Sequence, residues 1–132
     1  MSLGLLSADP SAVIFDTITA QLPGIQIGYD MPPGDVKLFL TLSAGAPPTM
    51  LTQRWTLTLS AYASNGHGVH DHAKAQSIWA DAARAVLAAR HRFPLCDAQV
   101  QSGPIVNHDA RLDIDYVYGS IILTVACGQE TQ

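Results

Sequence analysis

The residues best suited to chemistry lie together in the middle of the chain. His67, His70 and His72 supply three imidazole rings, and Asp71 supplies a carboxylate beside them. These groups are ligands that zinc and other transition metals prefer. The spacing departs from the H-x-H-x-D-H metal motif, because Val69 occupies the position of its second histidine and His70 is one position out of step. Metal binding at His67, His70 and His72 is therefore an alternative and not the preferred interpretation.

The same segment has a simpler interpretation as a polar loop that leads into a helix. Gly66 and Gly68 allow turns, and the Asp71 carboxylate can accept a hydrogen bond from a free N–H at the helix start. Elsewhere the chain has no G-x-S-x-G motif and no glycine-rich phosphate loop, and neither Cys96 nor Cys127 lies in a recognised motif. We expect no enzymatic activity and no cofactor.

The composition argues against several classes of partner. Seven Lys and Arg against eleven Asp and Glu give a formal charge of −4, and no segment gathers the basic residues into a phosphate-binding stripe. No apolar run is long enough to cross a bilayer, and residues 1 to 6 are too short for a signal-peptide core. We therefore expect no sequence-specific nucleic-acid binding, no membrane association and a cytosolic site of synthesis.

Apolar periodicity and turn residues predict two helices and five strands. Asp9 and Pro10 mark the start of a helix that ends near residue 21, and an alanine-rich helix follows Asp71. The predicted strands cover residues 25 to 29, 36 to 43, 53 to 62, 98 to 109 and 115 to 126.

The order α-β-β-β-α-β-β predicts an α+β fold. We expect a two-layer sandwich in which one mostly antiparallel mixed sheet of four to five strands carries both helices on one face. A single domain should span residues 1 to 132, with a flexible tail at residues 128 to 132.

The last two strands are expected to form a long hairpin, with a bulge or bend at Gly103-Pro104. A turn centred near residues 111 and 112 pairs residues whose numbers sum to about 223. That sum makes Cys96 and Cys127 candidate cross-strand neighbours. A disulfide between them is one alternative, and two separate thiols in a reducing compartment are the other.

The third predicted strand has the clearest alternation. Trp55 and the apolar residues that follow it at every second position face one way, whereas Arg54 and a row of Thr and Ser face the other. We expect Trp55 and Trp79 to lie in the core. The opposite face is then neutral and rich in hydroxyl groups, which suits a protein partner, because uncharged strands associate unless something covers them.

Five sequence features, spread over nearly the whole chain, define its layout. They are an N-terminal helix that opens with Ser-Ala-Asp-Pro at residues 7 to 10, the alternating strand at residues 54 to 63, the alanine-rich helix, Gly103-Pro104 within the penultimate strand, and Tyr116 and Tyr118 at the start of the last strand. In this layout the chain resembles the tail terminator, or tail completion, proteins of long-tailed bacteriophages, especially those of actinobacteriophages and their prophages.

The resemblance implies a structural virion protein of the phage tail, assembled in the host cytoplasm. Such a protein forms a homo-hexameric ring, caps the tail tube, ends its polymerisation and offers a surface to the head-tail connector. Its expected partners are therefore further copies of itself, the tail tube protein and the connector protein. The net acidic composition is consistent with DNA passing through such a ring without adhering.

Two loops are the segments expected to reach a partner, because long loops on a rigid sheet commonly carry contacts. They span residues 44 to 52 and 64 to 72. The expected contact residues are Pro47, Pro48, Arg54, His67 and His70.

Two alternatives to a tail terminator stay open. One is another head-tail connector or minor tail protein of similar size. The other, from a different class, is a small metal-binding protein or metal-dependent enzyme that uses His67, His70 and His72.

Overall fold

The computed structural model describes residues 7–45, 51–64 and 69–127. Within these ranges the chain forms two helices and five strands in the predicted order. They are α1 (Ser11–Gln21), β1 (Gln26–Gly28), β2 (Val36–Ala44), β3 (Thr52–Ala63), α2 (His72–Ala88), β4 (Leu95–Asp109) and β5 (Ile114–Ala126). The predicted flexible tail at residues 128 to 132 lies outside the described residues.

The five strands form one mixed sheet in the order β1-β2-β3-β5-β4. Only β1 and β2 run parallel, and every other neighbouring pair is antiparallel. The chain passes from β3 through α2 to β4 and then returns by β5 between them, so β4 lies at one edge of the sheet. The predicted α+β fold, with a mostly antiparallel mixed sheet, is confirmed.

The core lies between one face of the sheet and the two helices. Most of the core-facing residues of the central strands are fully buried there, including Leu57 and Leu59 on β3 and Leu123 on β5. From the helices, α1 contributes Ile14 and Ile18 at helical spacing, and α2 contributes a stripe of alanines with Ile78, Trp79 and Val86. The alanines let α2 approach the sheet closely, which makes this face the apolar layer of the sandwich.

Both aspartates expected at the helix starts accept hydrogen bonds there. Asp71 Oδ1 accepts from the N–H of Lys74 at 3.1 Å, as the prediction for α2 requires. Asp9 Oδ1 accepts from the N–H of Ser11 at 2.9 Å. The α1 helix nevertheless begins one residue later than predicted, with Pro10 at the position before its first turn.

The two tryptophans differ in their surroundings. Trp79 is buried within the core, as predicted. Trp55 is half-buried against the edge of the core, where its Nε1 donates to Ser7 Oγ at 2.7 Å. The N-terminal segment is held there further by a hydrogen bond from the N–H of Ala8 to the carbonyl of Ala126 at 3.0 Å.

The predicted bulge at Gly103-Pro104 is present and changes the pairing of the hairpin. Next to the turn, Asp109 pairs with Ile114, which matches the predicted register. Register shifts between Leu95 and Ile105 then move the base of the hairpin by up to three residues, so that Leu95 pairs with Val125. A bulge adds residues to one strand only. The numbers of paired residues therefore do not keep the same sum along the whole hairpin.

This shift overturns the predicted pairing of the cysteines. Cys96 falls at an irregularity between Leu95 and Asp97 and is exposed, and Cys127 lies beyond the end of β5. The N–H of Cys127 donates to the carbonyl of Leu51 at 2.8 Å, not to β4. Both cysteines are free thiols.

No helix in the described part of the chain is long and apolar enough to cross a membrane.

Candidate interaction surfaces

The sheet face opposite the helices is a neutral surface of hydroxyl groups. The register places Thr41 beside Thr58, and Thr58 beside Ser120, whose hydroxyl oxygens are 3.3 Å apart. The neighbouring rows hold Phe39 with Ser60, and Ser43 with Thr56. As the alternation predicts, this face carries few charges, and neither helix covers it.

Arg54 marks one end of this face. It is exposed on β3 next to Thr124 of β5, and Asp97 of β4 lies in the same row. These residues line a shallow depression of about 180 Å³ together with Gln99 and Ile122. Arg54 thus lies on the helix-free face, where a partner can reach its guanidinium.

The edge strand β4 exposes apolar side chains and carries little charge. Residues 98 to 107 include no Asp, Glu, Lys or Arg. Val100, Ile105 and Val106 are each about half exposed within that stretch. Protein sheets usually protect an edge with charges, bulges or proline. Here the protection is limited to the bulge at Gly103-Pro104 in the middle of the strand.

The tip of the β4–β5 hairpin is ordered by a carboxylate. Asp109 Oδ1 accepts from the N–H groups of Arg111 at 2.9 Å and Leu112 at 3.2 Å, and Asp109 Oδ2 accepts from the Tyr62 hydroxyl at 2.9 Å. Burial by itself would raise the pKa of the Asp109 carboxyl. The hydrogen bonds from the two N–H groups and the hydroxyl outweigh burial and lower this pKa. Asp109 thus links the backbone of the turn to the side chain of Tyr62 on β3.

A second polar cluster lies beside that turn. His108 Nδ1 is 2.9 Å from Asp115 Oδ1, and His108 Nε2 is 3.3 Å from Asp113 Oδ1. The hydrogen bond to Asp115 is the main cause that raises the pKa of the His108 imidazole, partial desolvation opposes it, and the Asp113 charge adds to the increase. Asp113 itself adopts a left-handed backbone conformation, with φ of 54°, and is 93% exposed.

An aromatic stack connects the tip to the sheet. The rings of Tyr62 and Tyr116 are stacked with centroids 4.8 Å apart, and Lys37 Nζ lies 5.5 Å from the Tyr62 centroid. Burial and the hydrogen bond to Asp109 raise the pKa of the Tyr62 hydroxyl, which therefore stays protonated as a donor. The projecting tip is thus anchored to β3 through side chains.

The His-rich segment is only partly described. His70 is half-buried, and neither of its ring nitrogens has a hydrogen-bond partner among the residues that the structure describes, although both are covered by protein atoms. The ring of His72 lies 5.8 Å from it, centroid to centroid. Among the residues that the structure describes, no group of three or more His, Cys, Asp or Glu side chains could hold a metal ion.

Three of the predicted contact residues, Pro47, Pro48 and His67, lie outside the described residues. The other two, Arg54 and His70, are on different elements, and the structure gives no contact between them. The hairpin tip was not among the sequence predictions of a contact surface. Its signal in the sequence was the density of Asp and Arg around a predicted turn, at residues 109 to 115.

Comparisons with known proteins returned no match to a protein-family model, to a curated protein sequence or to a solved structure.

Proposed function

We propose that this protein assembles as a ring that caps a bacteriophage tail tube, ends tube polymerisation and presents the joining surface for the head-tail connector. The observation that carries the proposal is the exposed edge of the sheet. A 15-residue strand, β4, lies there with exposed aliphatic side chains, and it borders a sheet face that no helix covers. Such a combination is stable in solution when neighbouring copies cover it.

The form of the edge favours contacts through side chains over extended strand pairing. The bulge at Gly103-Pro104 divides β4 into two short segments, and a proline within the strand has no N–H to donate. A partner would therefore pack against side chains on both sides of the edge instead of adding a continuous strand: Val100 and Val106 lie in core-facing rows and Ile105 in a row of the helix-free face.

The charge distribution supports a ring through which DNA passes. The chain carries a formal charge of −4, and Lys37 and Arg54 are the cationic residues of the helix-free face. Lys37 is buried against Tyr62. A lumen lined by this face would bind phosphates weakly, because affinity for duplex DNA depends on the number of phosphates that cations neutralise.

Electron microscopy of the purified protein tests this proposal. We expect closed rings with an open centre, and we expect no retention of duplex DNA on the rings at physiological salt. A matched variant with Val100, Ile105 and Val106 all changed to Thr keeps β-propensity and should weaken ring formation. Particles without a lumen, or tight DNA binding, would argue against a tube cap.

Metal binding is the second candidate function, because the two ring nitrogens of His70 are covered and unpaired next to His72. Two imidazoles at this separation can share one transition-metal ion. Titration with Zn²⁺ followed by calorimetry tests it. Stoichiometric binding that is lost in His70→Gln and His72→Gln, but kept in the control His91→Gln, would favour this candidate. If the protein binds no Zn²⁺, metal binding is excluded as its function.

A further inference from the structure

The described part of the chain contains a groove between the two helices whose charge is opposite to that of the hairpin tip. The groove has a volume of about 630 Å³ and lies between the C-terminal halves of α1 and α2. Its floor is made of small side chains and its rim of arginines; these are Ala20, Ala85, Ala88, Ala89, Arg84 and Arg92. Asp16 lies on the α1 side of the groove.

Two cationic side chains, Arg84 and Arg92, line this groove, and Arg90 follows the same helix end outside the lining. Three of the seven Lys and Arg residues of the chain lie between residues 84 and 92. Arg84 pairs with Asp81 at 2.8 Å, and the Arg90 guanidinium donates to the carbonyl of Leu87. Arg92 is exposed, and its guanidinium has no hydrogen-bond or ion-pair partner in the described part of the chain. It is therefore available to a carboxylate from outside.

The hairpin tip carries negative charge and an exposed leucine, which complement the arginines and alanines of the groove. Three of the eleven acidic residues of the chain lie between residues 109 and 115, where Arg111 is the single Lys or Arg. Leu112 lies in this turn and is 44% exposed; its other side lines a depression of about 200 Å³ together with Lys37 and Tyr62. The hydrogen bonds of Asp109 fix the turn, so its insertion into a groove costs little conformational entropy.

The tip of one chain cannot reach the groove of the same chain. The tip lies at the end of the sheet where β3 ends and α2 begins, since the N–H of Asp71 donates to the carbonyl of Ala63. The groove lies near the other end of α2. A 17-residue helix is about 25 Å long at about 1.5 Å per residue, and this length separates the two patches.

We propose that the hairpin tip of one copy inserts into the α1–α2 groove of a second copy, with Leu112 on the alanine floor and Asp113 beside Arg92. This inference rests on the proposed function, for which it supplies a subunit contact in addition to the one at the β4 edge. Because the two patches differ and lie at opposite ends of the molecule, the contact is head-to-tail. A head-to-tail contact closes into a ring when its rotation returns to the first copy and gives an open filament when it does not, whereas a contact between identical patches stops at a dimer.

Mixing of two complementary variants tests the contact. The tip variant is Leu112→Ser with Asp113→Asn, in which Asn tolerates the left-handed backbone of residue 113. The groove variant is Ala88→Glu, which fills the floor and adds a repelling charge while keeping a good helix-forming residue at this position. The matched controls are Asp30→Asn, an exposed carboxylate in a loop, and Ser77→Glu, an exposed position of α2 outside the groove. Circular dichroism verifies that each variant is folded.

Light scattering then measures the mass of each sample. We expect assembly of the wild-type protein and both controls, at least about tenfold weaker association of each variant alone, and a 1:1 dimer from their equimolar mixture. The dimer is expected because each variant retains the patch that the other lacks. Wild-type association should also weaken with salt.

Two results would overturn the inference, and they differ in their meaning for the proposed function. Full assembly of both variants would show that the ring stands but uses another contact. A wild-type protein that stays monomeric at all concentrations would overturn both the ring and this contact.

Discussion

Leu59 and Leu112 are both leucines, but they lie in opposite surroundings. Leu59 is fully buried between the sheet and the helices, whereas Leu112 is 44% exposed in the turn between β4 and β5. The region around Leu59 is held by burial of apolar side chains. The region around Leu112 is held by hydrogen bonds to Asp109 and by stacked tyrosines. The difference indicates that apolar burial between the sheet and the helices stabilises the fold, while polar and aromatic contacts shape the hairpin tip at the surface.

The largest expected effect is the loss of stability when a core side chain between the sheet and the helices is shortened. Leu59→Ala should lower the free energy of unfolding by about 2–5 kcal/mol, since it leaves a cavity in a closely packed core. Leu112→Ala should change this free energy by less than about 0.5 kcal/mol, because residue 112 is at the surface. Urea denaturation of both variants measures the difference. Equal losses would contradict the division into two regions.

Between the core and the hairpin tip, the backbone of β4 comes very close to the backbone of β5 at Gly103. A Cβ at this position would lie 2.5 Å from the Cα of Gly119. Gly34 is a matched control, because it has a similar φ of 100° against 93° at Gly103, but a Cβ there meets nothing within 4 Å. Gly103→Ala should therefore cost about 1–3 kcal/mol more than Gly34→Ala in the free energy of unfolding. Thermal and urea denaturation measure both losses of stability. Equal losses for the two variants would show that the backbone at the bulge moves easily to make room for a Cβ.

A smaller effect is expected from the link between the tip and the sheet. Tyr62→Phe removes the hydroxyl that donates to Asp109 and should cost about 1–2 kcal/mol of stability, the usual range for a hydrogen bond to a charged group at a partly exposed site. Tyr118→Phe is the control, since its hydroxyl has no hydrogen-bond partner within residues 7–45, 51–64 and 69–127. A neutral Tyr62→Phe variant would mean that stacking alone anchors the tip.

The smallest effect concerns the protonation of His108. Its pKa, measured by NMR, should lie above the ordinary value of about 6.5, and Asp115→Asn should lower it. The protonated cluster stabilises the tip below about pH 6.5, and this contribution is lost as the pH rises through the higher pKa of the folded state. Asp30→Asn should leave the titration unchanged. A pKa at or below the ordinary value would show that the two carboxylates do not hold the imidazolium.

The elements that form the core could be predicted from the sequence because their periodicity is strong. The alternation around Leu57 predicted β3, and the capping residue Asp71 with its alanine stripe predicted α2. The pairing at the base of the hairpin could not be predicted, because the register shifts around Gly103 depend on how many residues each strand contributes. The prediction that placed Cys96 beside Cys127 was wrong for this reason.

The polar network of the tip could not be predicted for a different reason. Tyr62 and Asp109 are 47 positions apart in the chain, and they meet because β5 lies between β3 and β4 in the sheet. No local pattern encodes such a contact. The acidic turn itself is visible in the sequence, but its significance depends on the cationic groove at the other end of α2.

The solution mass of the purified protein across a concentration series tests the central claim most directly. Self-association into a ring predicts a closed particle of about 85 kDa, six times the 14.1 kDa chain, whose mass stops increasing with concentration. A particle that remains at 14.1 kDa at every concentration, or stops at a dimer, would contradict the ring.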